Sequence, residues 1–314
     1  MSMHIKYSTT LTTLLLAALL SACGGGGGAS VSVPAPPSTL PSEPGAPAFV
    51  NNTATDGLNW INYRRGQLGI PTLLANSQVA QAAQAHSTYQ NLNNSVSHDE
   101  VAGKAGYTGT TLLQRLNAAG YNFGSNGYAY GEVISATNST SGFYMAEELI
   151  TAIYHRFVIF EPKFKEIGTG SAATSAGYTY FTSDFTANNG YGPGIGRTNG
   201  VTWPFNGQSN VPVNFFSDYE APDPVAGVNE VGYPVSVHAD IDANLTVQSF
   251  TLRARGGAEL SVKLLSAASD HDTPASAAAI IPLATLKAAT TYDASFVGSI
   301  DGAAVSKTWS FTTK

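Results

Sequence analysis

The sequence predicts an α+β protein in which a layered α-β-α sandwich domain precedes a small all-β sandwich domain. Over residues 51–187, helical periodicities alternate with short aromatic strands, which is typical of helices layered on a sheet. Over residues 225–314, short alternating strands follow one another, separated by Gly, Asp and Ser turns. The stretch between them, 188–224, is rich in Gly and Pro and separates the two patterns.

The first 22 residues have the composition of a signal peptide. Lys6 supplies a positive charge, and the apolar run 11–20 is shorter than the about 20 residues that span a bilayer. Leu20-Ser21-Ala22-Cys23 follows and resembles a bacterial lipobox, in which the cysteine receives the lipid. We therefore predict a signal peptide at 1–22, lipidation of Cys23 and a flexible tether at 23–50. The alternative is an ordinary secretory signal followed by an accidental cysteine.

The composition of the chain limits its partners. Apolar residues make up 43% of the 314 residues, enough for two hydrophobic cores, and charged residues only 11%. Without Lys6 the balance is 14 basic residues (15 minus 1) against 21 acidic ones, and no basic patch occurs, which argues against nucleic acid as a partner. Cys23 is the single cysteine, so its lipidation excludes disulfides, cysteine-based metal sites and a thiol nucleophile. The expected partner is the membrane, at the bacterial outer membrane or cell surface.

Helices and strands alternate through the first domain. Four helices are predicted, each opened by a capping residue or closed by Gly or Pro, at 55–68, 76–90, 110–119 and 144–159. Three strands are predicted at 127–134, 166–170 and 178–185. His86 lies on the apolar face of the second helix, which favours a buried, hydrogen-bonded histidine over a ligand. A surplus of aromatic residues is more typical of core than of a ligand groove, at Tyr128, Tyr130, Phe143, Tyr144 and Tyr154.

Residues 188–224 are predicted to form an irregular connector. Its glycine ladder over 190–196 superficially resembles a phosphate loop, but neither a strand-to-helix turn nor a Lys-Ser/Thr pair accompanies it. Beyond it, strands are predicted at 233–238, 245–253, 260–265, 291–297 and 306–313. The stretches 290–292 and 309–313 resemble the last strands of bacterial immunoglobulin-like (Ig-like) domains, so an Ig-like sandwich is expected at 225–314. His238 and His271 have no partner pattern there and are expected at the surface.

Eight short motifs occur in order along the first domain. They are the helix and turn at 58–73, the helix segment at 80–87, Ser97-His98, the step at 113–121, Gly131-Glu132, His155-Arg156, the strand at 164–170 and the aromatic strand at 180–185. In this order they resemble the bacterial CAP superfamily, also called SCP-like, here in a lipoprotein form. Each motif alone is a weak signal, whereas eight in order are specific. The resemblance implies an α-β-α sandwich.

The resemblance also implies a cleft that holds two histidines and two acidic residues. His98, Glu132 and His155 match the family's positions; for the second acid, Glu100 is the first choice and Asp99 the alternative. The sequence departs from the family after Glu132, where Val replaces Asn, and before His155, where Ala-Ile-Tyr replaces Ser-Pro-Gly. The cleft is therefore expected to be altered in shape or idle.

Two imidazoles and two carboxylates in one cleft permit three kinds of chemistry. His98 and His155 with Glu132 can bind zinc or another divalent metal, the carboxylate serving as third ligand or as orienter of an imidazole. The same groups can act as a general acid and base. They can also simply pair and hold loops together. No thiol and no Gly-x-Ser-x-Gly elbow offers a nucleophile.

Two functions follow from these patterns. The first is a lipid-anchored binding module that presents the cleft to an extracellular lipid, glycan or peptide, with the Ig-like unit as spacer or second binding surface. The alternative is a metal-assisted or acid/base hydrolase that uses the same cleft. The missing nucleophile and the altered flanks favour binding, whereas the retained His-Glu-His set favours the hydrolase, and a shared fold does not decide between them.

Overall fold

The computed structural model describes residues 2–6 and 43–314 of the 314-residue chain. Cys23, most of the predicted signal peptide and most of the predicted tether lie outside these residues. The helices are α1 (Thr53–Leu68), α2 (Ser77–Asn93), α3 (Leu112–Ala118), α4 (Gly142–Thr151) and α5 (Ile153–Ile159), with a 3-10 turn at Ser217–Tyr219. The first strands are β1 (Ser2–Lys6), β2 (Leu74–Ala75), β3 (Tyr128–Thr137), β4 (Glu166–Ala173) and β5 (Thr179–Ala187). The remaining strands are β6 (Val201–Trp203), β7 (Asn214–Phe216), β8 (Glu230–Gly232), β9 (Val235–His238), β10 (Leu245–Ala254), β11 (Val262–Ser266), β12 (Ala277–Pro282), β13 (Thr291–Ile300) and β14 (Ala303–Thr312).

The first domain is a sheet between two layers of helices. Its strand order is β1-β3-β5-β4-β2, antiparallel except for the parallel pair β2–β4. Helix α2 packs so closely on one face that a Cβ at Gly168 would lie 2.1 Å from the backbone nitrogen of Ala80. On the other face Gly57 of α1 approaches Phe181 of β5 in the same way. The predicted α+β class and α-β-α layering are thus confirmed.

Strand β1 lies within the predicted signal peptide. It pairs antiparallel with the first half of β3, from Ser2 opposite Glu132 to Lys6 opposite Tyr128. Removal of residues 1–22, as the sequence predicts, would therefore leave β3 as the edge strand beside Glu132.

Two helix predictions need correction. The first helix is capped by Asn52, whose side chain accepts a hydrogen bond from the backbone N–H of Thr55, whereas the carboxylate of Asp56 accepts from the N–H groups of Val50 and Asn52. The helix predicted at 144–159 is two helices, because Ala152 adopts an extended conformation with ψ 121°. Its apolar pattern continues through the break, so periodicity alone does not reveal it.

The C-terminal unit is all-β. One sheet has the order β10-β13-β14 and the other β11-β12-β9-β6, with β7 and β8 forming a separate two-stranded ribbon. The buried residues of both sheets face each other, with Phe250, Leu252 and Phe296 on one side and Val235, Val237 and Ile280 on the other. The arrangement agrees with the predicted all-β sandwich; its Ig-like character stays a prediction.

The connector prediction was wrong for parts of 188–224. Strand β6 lies inside this segment and belongs to the four-stranded sheet, where Trp203 is fully buried. Strand β7 adds the buried Phe215. A strand of three residues is too short to show the alternation of apolar and polar side chains by which strands are recognised. The sequence around β6 and β7 therefore shows only its Gly and Pro residues as a pattern.

His238 is also a correction, since it was expected at the surface. It is only 2% exposed, lies between the rings of Phe157 and Phe160, and shares a 2.9 Å hydrogen bond with the hydroxyl of Ser236. Burial lowers its pKa to about 3, so the ring is neutral. The fully exposed side chain of His271 agrees with the expectation.

The two units meet along α5. The buried guanidinium of Arg156 donates to the carbonyl of Pro234 at 2.7 Å and lies 4.9 Å from the ring centre of Tyr233. The carboxylate of Glu161 accepts from the backbone N–H of Ile241 at 2.9 Å. Near the N-terminus of the same helix, the segment before Pro222 contacts α5 through Glu220, beside His155 of the candidate cleft.

Candidate functional site

His98 and Glu132 form the first half of the cleft. His98 lies in the loop after α2, and its Nδ1 is 2.8 Å from Oε1 of Glu132 on β3. The other carboxylate oxygen accepts a 2.7 Å hydrogen bond from the buried guanidinium of Arg115, which also donates to the carbonyl of His98. His98 and Glu132 are therefore in direct contact, and Arg115 of α3 fixes both.

The electrostatics of this pair define its protonation state. Burial raises the pKa of Glu132, but the charge of Arg115 and the hydrogen bond with His98 outweigh it and hold this pKa well below its usual range. Burial lowers the pKa of His98, against the opposing effect of Glu132. Glu132 is thus an ionised acceptor, so the Nδ1 of a neutral His98 carries the proton and donates it, and Nε2 keeps its lone pair.

Asp184 lies beside Glu132 on the neighbouring strand β5, in register with it. It is fully buried, and its carboxyl group lies against that of Glu132. Burial and the adjacent charge of Glu132 raise the pKa of Asp184 well above its ordinary value. Two neighbouring carboxyl groups in a low-dielectric site do not both ionise, so Asp184 keeps its proton while Glu132 is charged.

Glu100, the first choice for the second acid, lies elsewhere. Its carboxylate is 2.9 Å from Nδ1 of His86 and accepts from the backbone N–H groups of Thr108 and Gly109. Nε2 of His86 is 2.8 Å from the carbonyl of Ser97. These buried contacts tie the loop that carries His98 to α2, which is a structural role. The alternative acid, Asp99, is exposed.

His155 pairs with an acid that the sequence did not reveal. Its Nδ1 is 2.9 Å from Oε1 of Glu220, which follows the 3-10 turn at Ser217–Tyr219. The same carboxylate accepts from the backbone N–H groups of Ile153, Tyr154 and His155 at 2.7–3.0 Å. It therefore caps α5, whose preceding residue, Ala152, has no side-chain oxygen for that purpose. The only sequence signal was the replacement of the family's Ser-Pro-Gly, which removes the local cap.

The two histidine pairs lie close enough to influence each other. A charge on His155 contributes to lowering the pKa of His98, although 57 positions separate them in sequence (155 minus 98). The buried Glu148 of α4 is a further neighbour of His155. Burial raises its pKa, while a 2.8 Å hydrogen bond from Ser135 and the charge of His155 oppose this shift. The cleft thus lies beside β3, along the stretch from Glu132 to Ser135.

The donor set does not fit the predicted metal centre. Both oxygens of Glu132 are engaged, by His98 and Arg115, so Glu132 is an orienter of the imidazole. Across residues 43–314 no group of three or more His, Cys, Asp or Glu side chains is arranged to hold a metal ion. What the cleft offers is Nε2 of His98 and of His155, neither of which has a hydrogen-bond partner among the described residues.

Most of the aromatic residues considered for a ligand groove are core. Tyr130, Phe143 and Tyr154 are at most 8% exposed, whereas Tyr128 and Tyr144 are half-buried. Exposed aromatic rings occur instead at Phe216 and Tyr219, whose centres are 5.6 Å apart on the segment that carries Glu220.

Comparison with known proteins finds a family for part of the chain. Residues 58–185 match the model of the cysteine-rich secretory protein family, CAP. Similar solved structures include an extracellular SCP-domain protein of Bacillus anthracis, at 23% identity over 42% of this chain and 39% of that one, with a TM-score of 0.36. An outer surface protein of Borrelia burgdorferi is 15% identical over 42% of this chain and 89% of that one, with a TM-score of 0.35. A cysteine-rich secretory protein of Staphylococcus aureus is 14% identical over 43% and 38%, with a TM-score of 0.31. No curated protein matches the chain. Residues 58–185, which carry both cleft histidines, therefore form a CAP domain of the cysteine-rich secretory protein family.

Proposed function

We propose that the chain is an exported, lipid-anchored cell-envelope protein whose CAP cleft binds the polar part of an extracellular lipid, glycan or peptide. The supporting observation is the fixed orientation of two imidazoles, His98 by Glu132 at 2.8 Å and His155 by Glu220 at 2.9 Å. With Nδ1–H donated to a carboxylate, each Nε2 accepts from an O–H or N–H group of the ligand. Because these acceptors are already oriented, their side chains lose little conformational entropy when a ligand binds.

A hydrolase is the second candidate, on one observation. The pair of His98 and Glu132 has the arrangement of a general base and its orienting acid. Against it stands the lack of a partner for the base: no Ser, Thr or Cys side chain among the described residues is hydrogen-bonded to His98 or His155. Binding without turnover is therefore the better-supported function.

The cleft is tested with three matched variants, His98→Gln, His155→Gln and, as control, His271→Gln. The probes are a bacterial glycan array, phosphatidylethanolamine–phosphatidylglycerol vesicles and a peptide library. A probe retained by the wild type should bind at least tenfold more weakly to the first two variants and unchanged to the control. Retention should also fall at acidic pH, because a protonated Nε2 cannot accept a hydrogen bond. Equal retention by all variants would contradict the proposal, and conversion of the bound probe would establish the hydrolase.

The anchor has its own test. Cys23→Ala removes the only thiol, so the variant should leave the membrane fraction or accumulate uncleaved, whereas Ser30→Ala in the tether should sediment like the wild type. Membrane association of the Cys23→Ala protein equal to that of the wild type would contradict lipid anchoring.

A further inference from the structure

A cavity of about 580 Å³ lies on the outer face of the sheet β10-β13-β14, remote in sequence from the CAP domain. We call this cavity the sheet groove; Thr251, Arg253, Asp293, Ser295, Thr308 and Ser310 are among its lining residues. In β10 the buried Phe250 and Leu252 alternate with Thr251 and Arg253, so the latter pair faces outward. The groove is thus formed by the polar side of a sheet whose other side is core.

The strand register places these side chains in two rows across the sheet. One row is Thr251, Ser295 and Thr308, and the next is Arg253, Asp293 and Ser310. Neighbouring strands are about 4.8 Å apart, and positions two residues apart along a strand are about 6.6 Å apart. Hydroxyl groups are therefore repeated on the scale of a sugar ring, and each hydroxyl can both donate and accept a hydrogen bond.

The two arginines of the groove, Arg253 and Arg255, differ in their ion pairing. Arg255 at the end of the groove binds the carboxylate of Asp293 at 2.7 Å. Arg253 lies opposite Asp293 on one side and is bridged to Glu259, a further lining residue, on the other. All the same, Arg253 is exposed and forms no ion pair within the described part of the chain. Its guanidinium is therefore available to a carboxylate, which it can bind through two parallel hydrogen bonds.

We propose that the sheet groove is a binding site for an acidic saccharide, with Arg253 on the sugar carboxylate and the row Thr251, Ser295 and Thr308 on its hydroxyl groups. This site is independent of the CAP cleft and gives the C-terminal unit a recognition role of its own.

A saccharide fits the groove better than a peptide does. Peptides that bind sheets pair with an open strand edge and place side chains in apolar pockets. The groove instead lies on the side-chain face of three paired strands, and the outward positions of its two rows are hydroxyl-bearing or charged. A ligand dense in hydroxyl groups and carrying one carboxylate matches both rows at once.

The experiment uses the detergent-solubilised full chain and an array of oligosaccharides that contain uronic, sialic or muramic acid, each printed as the free acid and as its methyl ester. We expect at least one free acid to bind, and its methyl ester, which removes the charge alone, to bind at least tenfold more weakly. Arg253→Gln should lose the same factor. Thr251→Val should weaken binding several-fold and keep the preference for the free acid, since it removes only a hydroxyl.

Lys263→Gln is the matched control, because it removes an exposed positive charge from β11 of the other sheet. It should bind like the wild type, and thermal unfolding should show that all variants are folded. The proposal is overturned if no acidic saccharide binds, if esters bind as well as acids, if Arg253→Gln binds like the wild type, or if a tetraglutamate peptide binds with equal affinity and equal dependence on Arg253.

Discussion

Glu132 satisfies one histidine and one arginine with its two carboxylate oxygens. It is 1% exposed, and Arg115 is fully buried, so the pair has no water to replace a lost partner. A buried charge without its partner is costly, which gives Glu132 a role in stability as well as in orienting His98.

Glu132→Gln should therefore destabilise the protein by about 3–5 kcal/mol, because it removes the only carboxylate hydrogen-bonded to the buried guanidinium of Arg115 among the described residues; Asp184 and Glu100 act on that guanidinium only through their charges. It should also lower the pKa of His98 further, since Glu132 is what opposes the effect of burial. Urea unfolding measures the first effect and NMR titration of His98 the second. Asp293→Asn, which breaks an exposed ion pair, should leave the stability nearly unchanged. An unshifted His98 titration would show that the hydrogen bond with Glu132 is not formed in solution.

Glu161 makes the stability depend on pH in the opposite sense to an ordinary surface carboxylate. Burial raises its pKa from 4.5 to about 8, against the hydrogen bonds from the N–H groups of Lys163 and Ile241. Between these two pH values the folded state keeps a proton that the unfolded chain has released, so the free energy of unfolding falls as pH rises. The contribution is present below about pH 4.5 and is lost as pH passes 8.

Glu161→Gln keeps an oxygen that can accept from both N–H groups but cannot ionise. Relative to the wild type, its free energy of unfolding should improve between pH 5 and pH 9 by on the order of a few kcal/mol. Urea unfolding at several pH values measures this difference. A constant difference across that range would show that Glu161 is ionised in the folded state.

Helix α5 illustrates, at the scale of one element, how a distant residue replaces a local cap. Ala152 precedes the helix and offers no acceptor, and Glu220 supplies it from 65 positions beyond His155. Glu220→Ala should cost about 2–4 kcal/mol, because three backbone N–H groups and one imidazole lose their acceptor in a buried place. Hydrogen exchange of residues 153–155 should become faster, whereas Glu230→Ala on the exposed end of β8 should not change it. Unchanged exchange in the Glu220→Ala protein would mean that the cap is not needed.

The elements differ in how far the sequence could predict them. Helices α1 and α2 follow from their own periodicity, and α2 is capped at the predicted start of its range by Asn76, which accepts from the N–H groups of Gln78 and Val79. Glu132 and His98 could be placed together because each lies in a recognisable motif. Glu220 could not, because its role depends on a fold contact across 65 positions and its neighbours in sequence give no periodic pattern. Strand β6 could not be predicted for a similar reason. Its place in the sheet depends on its pairing with β9, and its own three residues give no pattern.

At the scale of the whole molecule, the junction along α5 joins the CAP domain to the C-terminal unit. Buried residues of both units form one continuous core, which includes Trp60 of α1 and Phe311 of β14. This shared core joins the two units more firmly than the irregular connector predicted for 188–224 would do. Unfolding one unit would expose apolar surface on the other, so the two are expected to lose their structure together.

Calorimetric unfolding of the full chain should therefore give a single peak, with the calorimetric and van't Hoff enthalpies nearly equal. Arg156→Met should separate that peak into two or broaden it, because it removes the donor to Pro234 and leaves that carbonyl unsatisfied inside the junction. Arg197→Met is the control: its side chain is 73% exposed and pairs with Asp301 at the surface, so the peak should keep its shape. Two peaks in the wild type would show that the units fold independently in spite of their shared core. A single unchanged peak in the Arg156→Met protein would show that apolar packing alone couples them, and that the buried guanidinium contributes nothing to the coupling.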